Sequence, residues 1–145
     1  TDTSGVLFRI SLKGKVSSMK LASMSSKHEF IVSDLDGDQK PEFIFNDLNL
    51  LTVYDDKYQK VKELRLSPET YGPFVVRLEE GKSGIGLYNP TDGEITLLNK
   101  DLNSIAGFPL TGYSKFSVFA SSKPSQASLL TTLGEEFRVL ITSLE

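Results

Sequence analysis

The sequence predicts an all-β chain made of repeated four-stranded antiparallel sheets, and three observations carry that prediction. Short runs of β-branched, leucine and aromatic residues recur along the 145 residues, each with partial period-two alternation. Clusters of Gly, Pro, Asn, Asp and Ser punctuate them, as turns require. The runs also repeat at an interval near 44 residues.

Taken in order, the predicted strands begin with "VLFRI" (6–10), "EFIVS" (29–33), "PEFIF" (41–45), "LLTVY" (50–54) and "KVKELRL" (60–66). "PFVVRL" (73–78), "GIGLY" (84–88), "EITLL" (94–98), "FSVFA" (116–120) and "FRVLI" (137–141) complete the set. "TDGE" (91–94) reads as a hairpin turn. One stretch, "SQASLLTTLG" (125–134), is bracketed by Pro124 and Gly134 as a short helix would be. Spacing favours a strand there instead: Ile85 to Ile95 is ten residues, and so is Leu129 to Val139.

The repeat can be aligned. Val6, Leu51 and Ile95 open three similar segments, in which Phe8, Val53 and Leu97 align, as do Val16, Val61 and Ile105, at offsets of 45 and 44. Phe30, Phe74 and Phe116 open a second series at offsets of 44 and 42. A period of this length with four strands per unit is the signature of β-propeller blades. A single four-stranded sheet cannot bury both faces, so such units are stabilised by stacking on their neighbours.

With strands labelled A to D from the centre outward, residues 1–145 read as a single β-propeller-like domain. Its blade pieces are C–D (5–22), A–D (28–66), A–D (73–110) and A–C (115–142), the last becoming A–B with an insertion if "EFRVLI" matches "PEFIF". That makes about three blades, where closed propellers have roughly four to eight. The expectation is a fragment of a larger propeller, a homodimer closing a six-bladed ring, or an open stack with aggregation-prone edges. The polar start "TDTSG" reads as a cut inside a longer chain.

Composition narrows the function classes. Hydrophobic residues make up 39% and charged residues 24%, as in ordinary globular proteins. The net charge of -3 and scattered lysines exclude a nucleic-acid surface. No apolar run reaches membrane-spanning length. The absence of cysteine excludes disulfides, thiolate chemistry and cysteine-ligated zinc, and no Gly-x-Ser-x-Gly elbow occurs.

The richest stretch is "IVSDLDGDQKPEFIF" (31–45). An apolar strand followed by Asp34-Leu-Asp36-Gly is similar to the nucleophile loop of haloacid-dehalogenase-type phosphatases. Asp34 would then be the nucleophile and Asp36 the general acid. Asp38 stands where that loop carries threonine, Pro41 and "EFIF" replace the helix that must follow, and Asp55-Asp56 comes too soon to be the second acidic pair. An EF-hand fails as well, because Gln39 and Phe45 occupy the positions of the obligatory Gly and Glu.

A nine-residue calcium loop between two strands fits better. Asp34, Asp36, Asp38 and Glu42 fall at positions 1, 3, 5 and 9, with the Lys40 carbonyl at position 7 and Gly37 at the bend. Calcium takes six to eight oxygens, which these groups and water can supply. Left without a cation, carboxylates this close repel one another. The same residues also make an Asx-rich turn that needs no metal.

"DLDGDQKPE" followed by "FIF" resembles the FG-GAP/VCBS-type repeat of integrin α-subunit propellers and bacterial surface proteins. That pattern runs D-x-D/N-x-D-G-x-x-D and then an apolar strand. The resemblance implies Asp34, Asp36, Asp38, Lys40 through its backbone, and Glu42 as ligands of a structural Ca²⁺. Gln39 replaces the usual glycine and Glu42 the usual aspartate. The motif occurs once, and "LEEGKSG" (78–84) in the next repeat lacks it. The "GFPL" of 107–110, after "NKDLN", is similar to the outer-strand turn of bacterial propeller repeats, with Phe108, Pro109 and Leu110 as an apolar plug.

The resemblance implies a non-catalytic binding or adhesion module, extracellular, periplasmic or at a cell surface, with a protein or glycan as ligand. Two alternatives stand beside it: the propeller portion of a polysaccharide-active enzyme, and a purely architectural domain of a larger surface protein. His28 is the sole histidine and reads as an ordinary strand-edge residue. The tyrosines at 54, 58, 71, 88 and 113 either pack between blades or line a ligand surface.

Overall fold

A computed structural model describes residues 4–78, 81–120, 127–133 and 138–144, with the backbone alone from residue 119 onward. It is all-β, and no α-helix occurs among the described residues. Four open antiparallel sheets follow one another along the chain. The first is a hairpin of β1 (Val6–Ile10) and β2 (Val16–Lys20). The second is a meander of β3 (Glu29–Ser33), β4 (Glu42–Asp47), β5 (Leu50–Tyr54) and β6 (Lys60–Arg65). The third runs through β7 (Tyr71–Arg77), β8 (Ser83–Asn89), β9 (Glu94–Leu98) and the two-residue β10 (Leu110–Thr111). The fourth contains β11 (Ser117–Ala120), β12 (Ala127–Leu133) and β13 (Arg138–Leu144). The described part of the ambiguous 125–134 stretch is therefore strand, while the junction at 134–137 lies outside the described residues.

The repeat is written into the turns. Ser11, Asp55 and Asn99 each open a five-residue hairpin loop, and they stand 44 residues apart. In each loop the first residue's amide donates to the carbonyl of the fifth, at 2.9, 3.0 and 2.9 Å. In each, the first side chain accepts from the fifth amide, through Ser11 Oγ, Asp55 Oδ1 or Asn99 Oδ1. The fourth residue is left-handed in all three: Gly14, Tyr58 and Leu102, with φ 77, 62 and 60. Gly5, Asn49 and Gly93, again 44 apart, are left-handed just before β1, β5 and β9.

These turns correct the alignment read from sequence. Leu7, not Val6, is the equivalent of Leu51 and Ile95, at an offset of 44 both times, and all three are buried. Arg9, not Phe8, stands where Val53 and Leu97 stand. Likewise Ser17, not Val16, is level with Val61 and Ile105. A one-residue slip exchanges the faces of a strand, and Phe8 and Val16 are in fact exposed.

Burial follows the stacking of sheets. Ile44, Leu51 and Val53 of the second sheet pack with Ile85, Leu87 and Leu98 of the third. On its other side the third sheet packs Val76, Ile95 and Leu97 against Phe108, Phe116 and Val118, which extends to the fourth sheet. Strand β7 contacts β3 and β4 of the second sheet and β11 of the fourth, so the second, third and fourth sheets approach at their first strands. Phe108 and Leu110 do plug the apolar layer, while Pro109 stays exposed.

One position shows how the repeat keeps its volume. The cross-strand pair Ile31–Ile44 of the second sheet is replaced in the third by Phe74–Gly86. The Phe74 ring occupies the space over Gly86, where any Cβ would collide with it, and stands edge-on to Phe116 at 5.2 Å. Gly86→Ala is expected to cost about 1–3 kcal/mol by overpacking. Adding Phe74→Leu should recover part of that loss, which a urea-melt double-mutant cycle would measure; strict additivity would refute the coupling.

Candidate metal centre

The acidic loop joins β3 to β4, whose register pairs Ser33 with Glu42. That pairing brings the two ends of "DLDGDQKPE" side by side. Asp34, Asp36 and Glu42, all partly buried, each place a carboxylate oxygen within 4.8 Å of the others. The loop is shaped by its own side chains. Asp34 accepts from the amides of Gly37 at 2.7 Å and Gln39 at 2.8 Å. Glu42 Oε2 accepts from the Leu35 amide at 2.7 Å, which fixes the carboxylate against the other end of the loop. Leu35 is buried and anchors this end of the loop in the inter-sheet core.

The five residues expected from sequence are not all in one place. Asp38 turns aside: its carboxylate accepts from the Lys40 amide at 2.8 Å and from the Lys40 ammonium at 3.2 Å. The ammonium of Lys100, 64 residues away, donates to Asp36 Oδ2 at 2.7 Å. Lys100 comes from the Asn99–Asn103 turn of the third sheet. Sequence reading passed it over, because only the stacking of the sheets brings that turn to the loop.

The carboxylates respond in opposite directions. The bond from Lys100 holds Asp36 below the usual aspartate range. Burial pushes Glu42 up; the Leu35 amide opposes this, and the charges on Asp36, Asp38 and Asp34 add to it. Three carboxylates brought together by the fold, one of them resisting ionisation, are a group that could hold a metal ion. Two carboxylates from one end of the loop and one from the other would let such a cation cross-link β3 to β4.

Gln39 occupies the glycine position of the repeat motif at the cost of backbone strain, with φ 68. Gln39→Gly is expected to stabilise the protein by about 0.5–1 kcal/mol, because the left-handed conformation is free only to glycine. Chemical denaturation would show this as a higher midpoint at unchanged slope.

No protein-family model, curated protein or solved structure matches the chain.

Proposed function

We propose that the chain is a run of propeller blades of the FG-GAP/VCBS type and serves outside the cytoplasm as a non-catalytic binding or adhesion module. In this reading a structural Ca²⁺ bound by Asp34, Asp36 and Glu42 ties β3 to β4. The Asp38 side chain and the Lys40 carbonyl complete the shell when the loop closes on the ion. The observation that carries the reading is the convergence of these three carboxylates on one strand-to-strand loop. Turns that recur every 44 residues and first strands that neighbour one another support the blade arrangement. The extracytoplasmic setting follows from the calcium, which is plentiful there.

Thermal melts in EDTA, calcium and magnesium test it. A calcium-selective rise in midpoint is expected, since a ligand of the native state stabilises that state by mass action. Identical midpoints in all three would remove the metal from the proposal.

A further inference from the structure

We propose that the outer edge of β1 is a docking site for a β-hairpin, one that carries the first two strands of another 44-residue repeat of this kind. The inference rests on the blade reading and names a partner for it. Strands β1 and β2 make a two-stranded sheet, whereas the second and third sheets have four strands each. The shared five-residue turns make this hairpin the equivalent of β5–β6 and β9–β10, the third and fourth strands of those sheets. Strand β5 pairs with β4 as well as β6, and β9 with β8 as well as β10. Among the described strands, β1 pairs with β2 alone.

The backbone of β1 is set for a second neighbour. The Ser11 amide donates to the Lys15 carbonyl and the Leu21 amide to the Gly5 carbonyl, one at each end of the hairpin. Residues along an antiparallel strand alternate between facing the partner's backbone and facing away from it. Gly5, Leu7, Arg9 and Ser11 therefore turn their backbone groups to β2, and Phe8 and Ile10 turn theirs to the other edge. Such an edge is a template for an added strand.

The side chains specify which strand. Phe8 is 52% and Ile10 69% exposed. They are level with Thr52 and Tyr54 of the second sheet, and with Thr96 and Leu98 of the third. There the neighbouring second strand sets Phe45 and Phe43, or Leu87 and Ile85, directly opposite. The strand that fits β1 is thus apolar at alternate positions on this face, as β4 and β8 are.

The other strand of the hairpin has a place as well. In the third sheet the first strand, β7, lies against β3 and β4, and its Pro73 is buried. Phe30 on β3, level with Pro73 in the repeat, is 41% exposed. The same step taken back from the second sheet lays a first strand over Phe30. One hairpin of this repeat then covers exposed apolar side chains on two sheets, which a single added strand would not do.

The test is amide hydrogen exchange of the full chain with a synthetic peptide of residues 70–90, which carries β7 and β8 and none of the acidic loop. Saturable slowing of exchange is expected at Phe8 and Ile10, and none with a peptide of residues 50–66, which carries β5 and β6. Phe8→Pro removes an outward amide that β2 does not use and should abolish the effect. Phe8→Lys keeps that amide and should weaken binding roughly tenfold, without moving the chain's own urea midpoint, since Phe8 is exposed. No slowing at β1, equal slowing by the 50–66 peptide, or unaltered binding by both variants would overturn the inference. So would slowing that rises with chain concentration in the absence of peptide, which would give the edge to a second copy. The calcium melt involves neither β1 nor the peptide. Calcium stabilisation without peptide binding would sink this site alone, and peptide binding without a calcium effect would sink the metal alone.

Discussion

Glu42→Gln is expected to raise the melting midpoint in EDTA and to lower it in calcium. The substitution keeps the shape of the side chain and an oxygen for the Leu35 amide. It removes a carboxylate that the fold holds partly buried beside Asp34, Asp36 and Asp38. A carboxylate whose folded pKa is raised binds protons more tightly when folded than when unfolded. The metal-free protein therefore loses stability as pH rises from the ordinary glutamate range through the raised value. The substituted amide does not titrate, so the gain in EDTA should be present at neutral pH and vanish in acid. Asp36 works the other way: its lowered pKa adds stability above the ordinary aspartate range, lost as pH falls through its folded value. With calcium at a hundred times its Kd, the wild type gains about 2.7 kcal/mol, roughly 5–10 °C for a domain of this size. The variant should lose most of that gain. Parallel behaviour of the two proteins in both media would refute the metal role of Glu42.

Ile85→Ala should be strongly destabilising. Ile85 is fully buried between the second and third sheets, against Ile44, Leu51 and Leu98. Removing its branched end deletes apolar contact and leaves a cavity that two hydrogen-bonded sheets cannot close. The expected cost is about 2–5 kcal/mol, a large share of the roughly 5–15 kcal/mol available to a domain. Val61→Ala, on an exposed strand face, is the control and should stay within about 0.5 kcal/mol. Urea unfolding distinguishes two outcomes for Ile85→Ala. A lower midpoint with an unchanged slope means the sheets unfold together; a second transition means the interface alone had coupled them.

Much of this architecture was legible in the residues. Alternation marked nearly every strand, and "LLTVY" and "EITLL" coincide with β5 and β9 from end to end. The turns were legible because Asp, Asn and Gly act locally, through their own side chains and backbone freedom. What escaped was whatever depends on the next sheet. "VLFRI" opens with three adjacent apolar residues, so only burial reveals that Leu7 faces inward. Gly86 reads as a weak strand residue until Phe74 is seen above it. The acidic loop was visible as a motif, but the turning aside of Asp38 and the arrival of Lys100 were not. Both are decided by three-dimensional neighbours.

The contact between Lys100 and Asp36 gives the loop a resident cation, supplied by the adjoining sheet. A divalent ion that takes both oxygens of Asp36 must evict that ammonium, and so must break a tie between two layers of the stack. Affinity for the ion and the grip of one layer on the next then become reciprocal quantities. Weakening the Lys100 contact would sharpen the loop's hold on a divalent ion, and filling the loop would release that one tie while the apolar core still joins the layers.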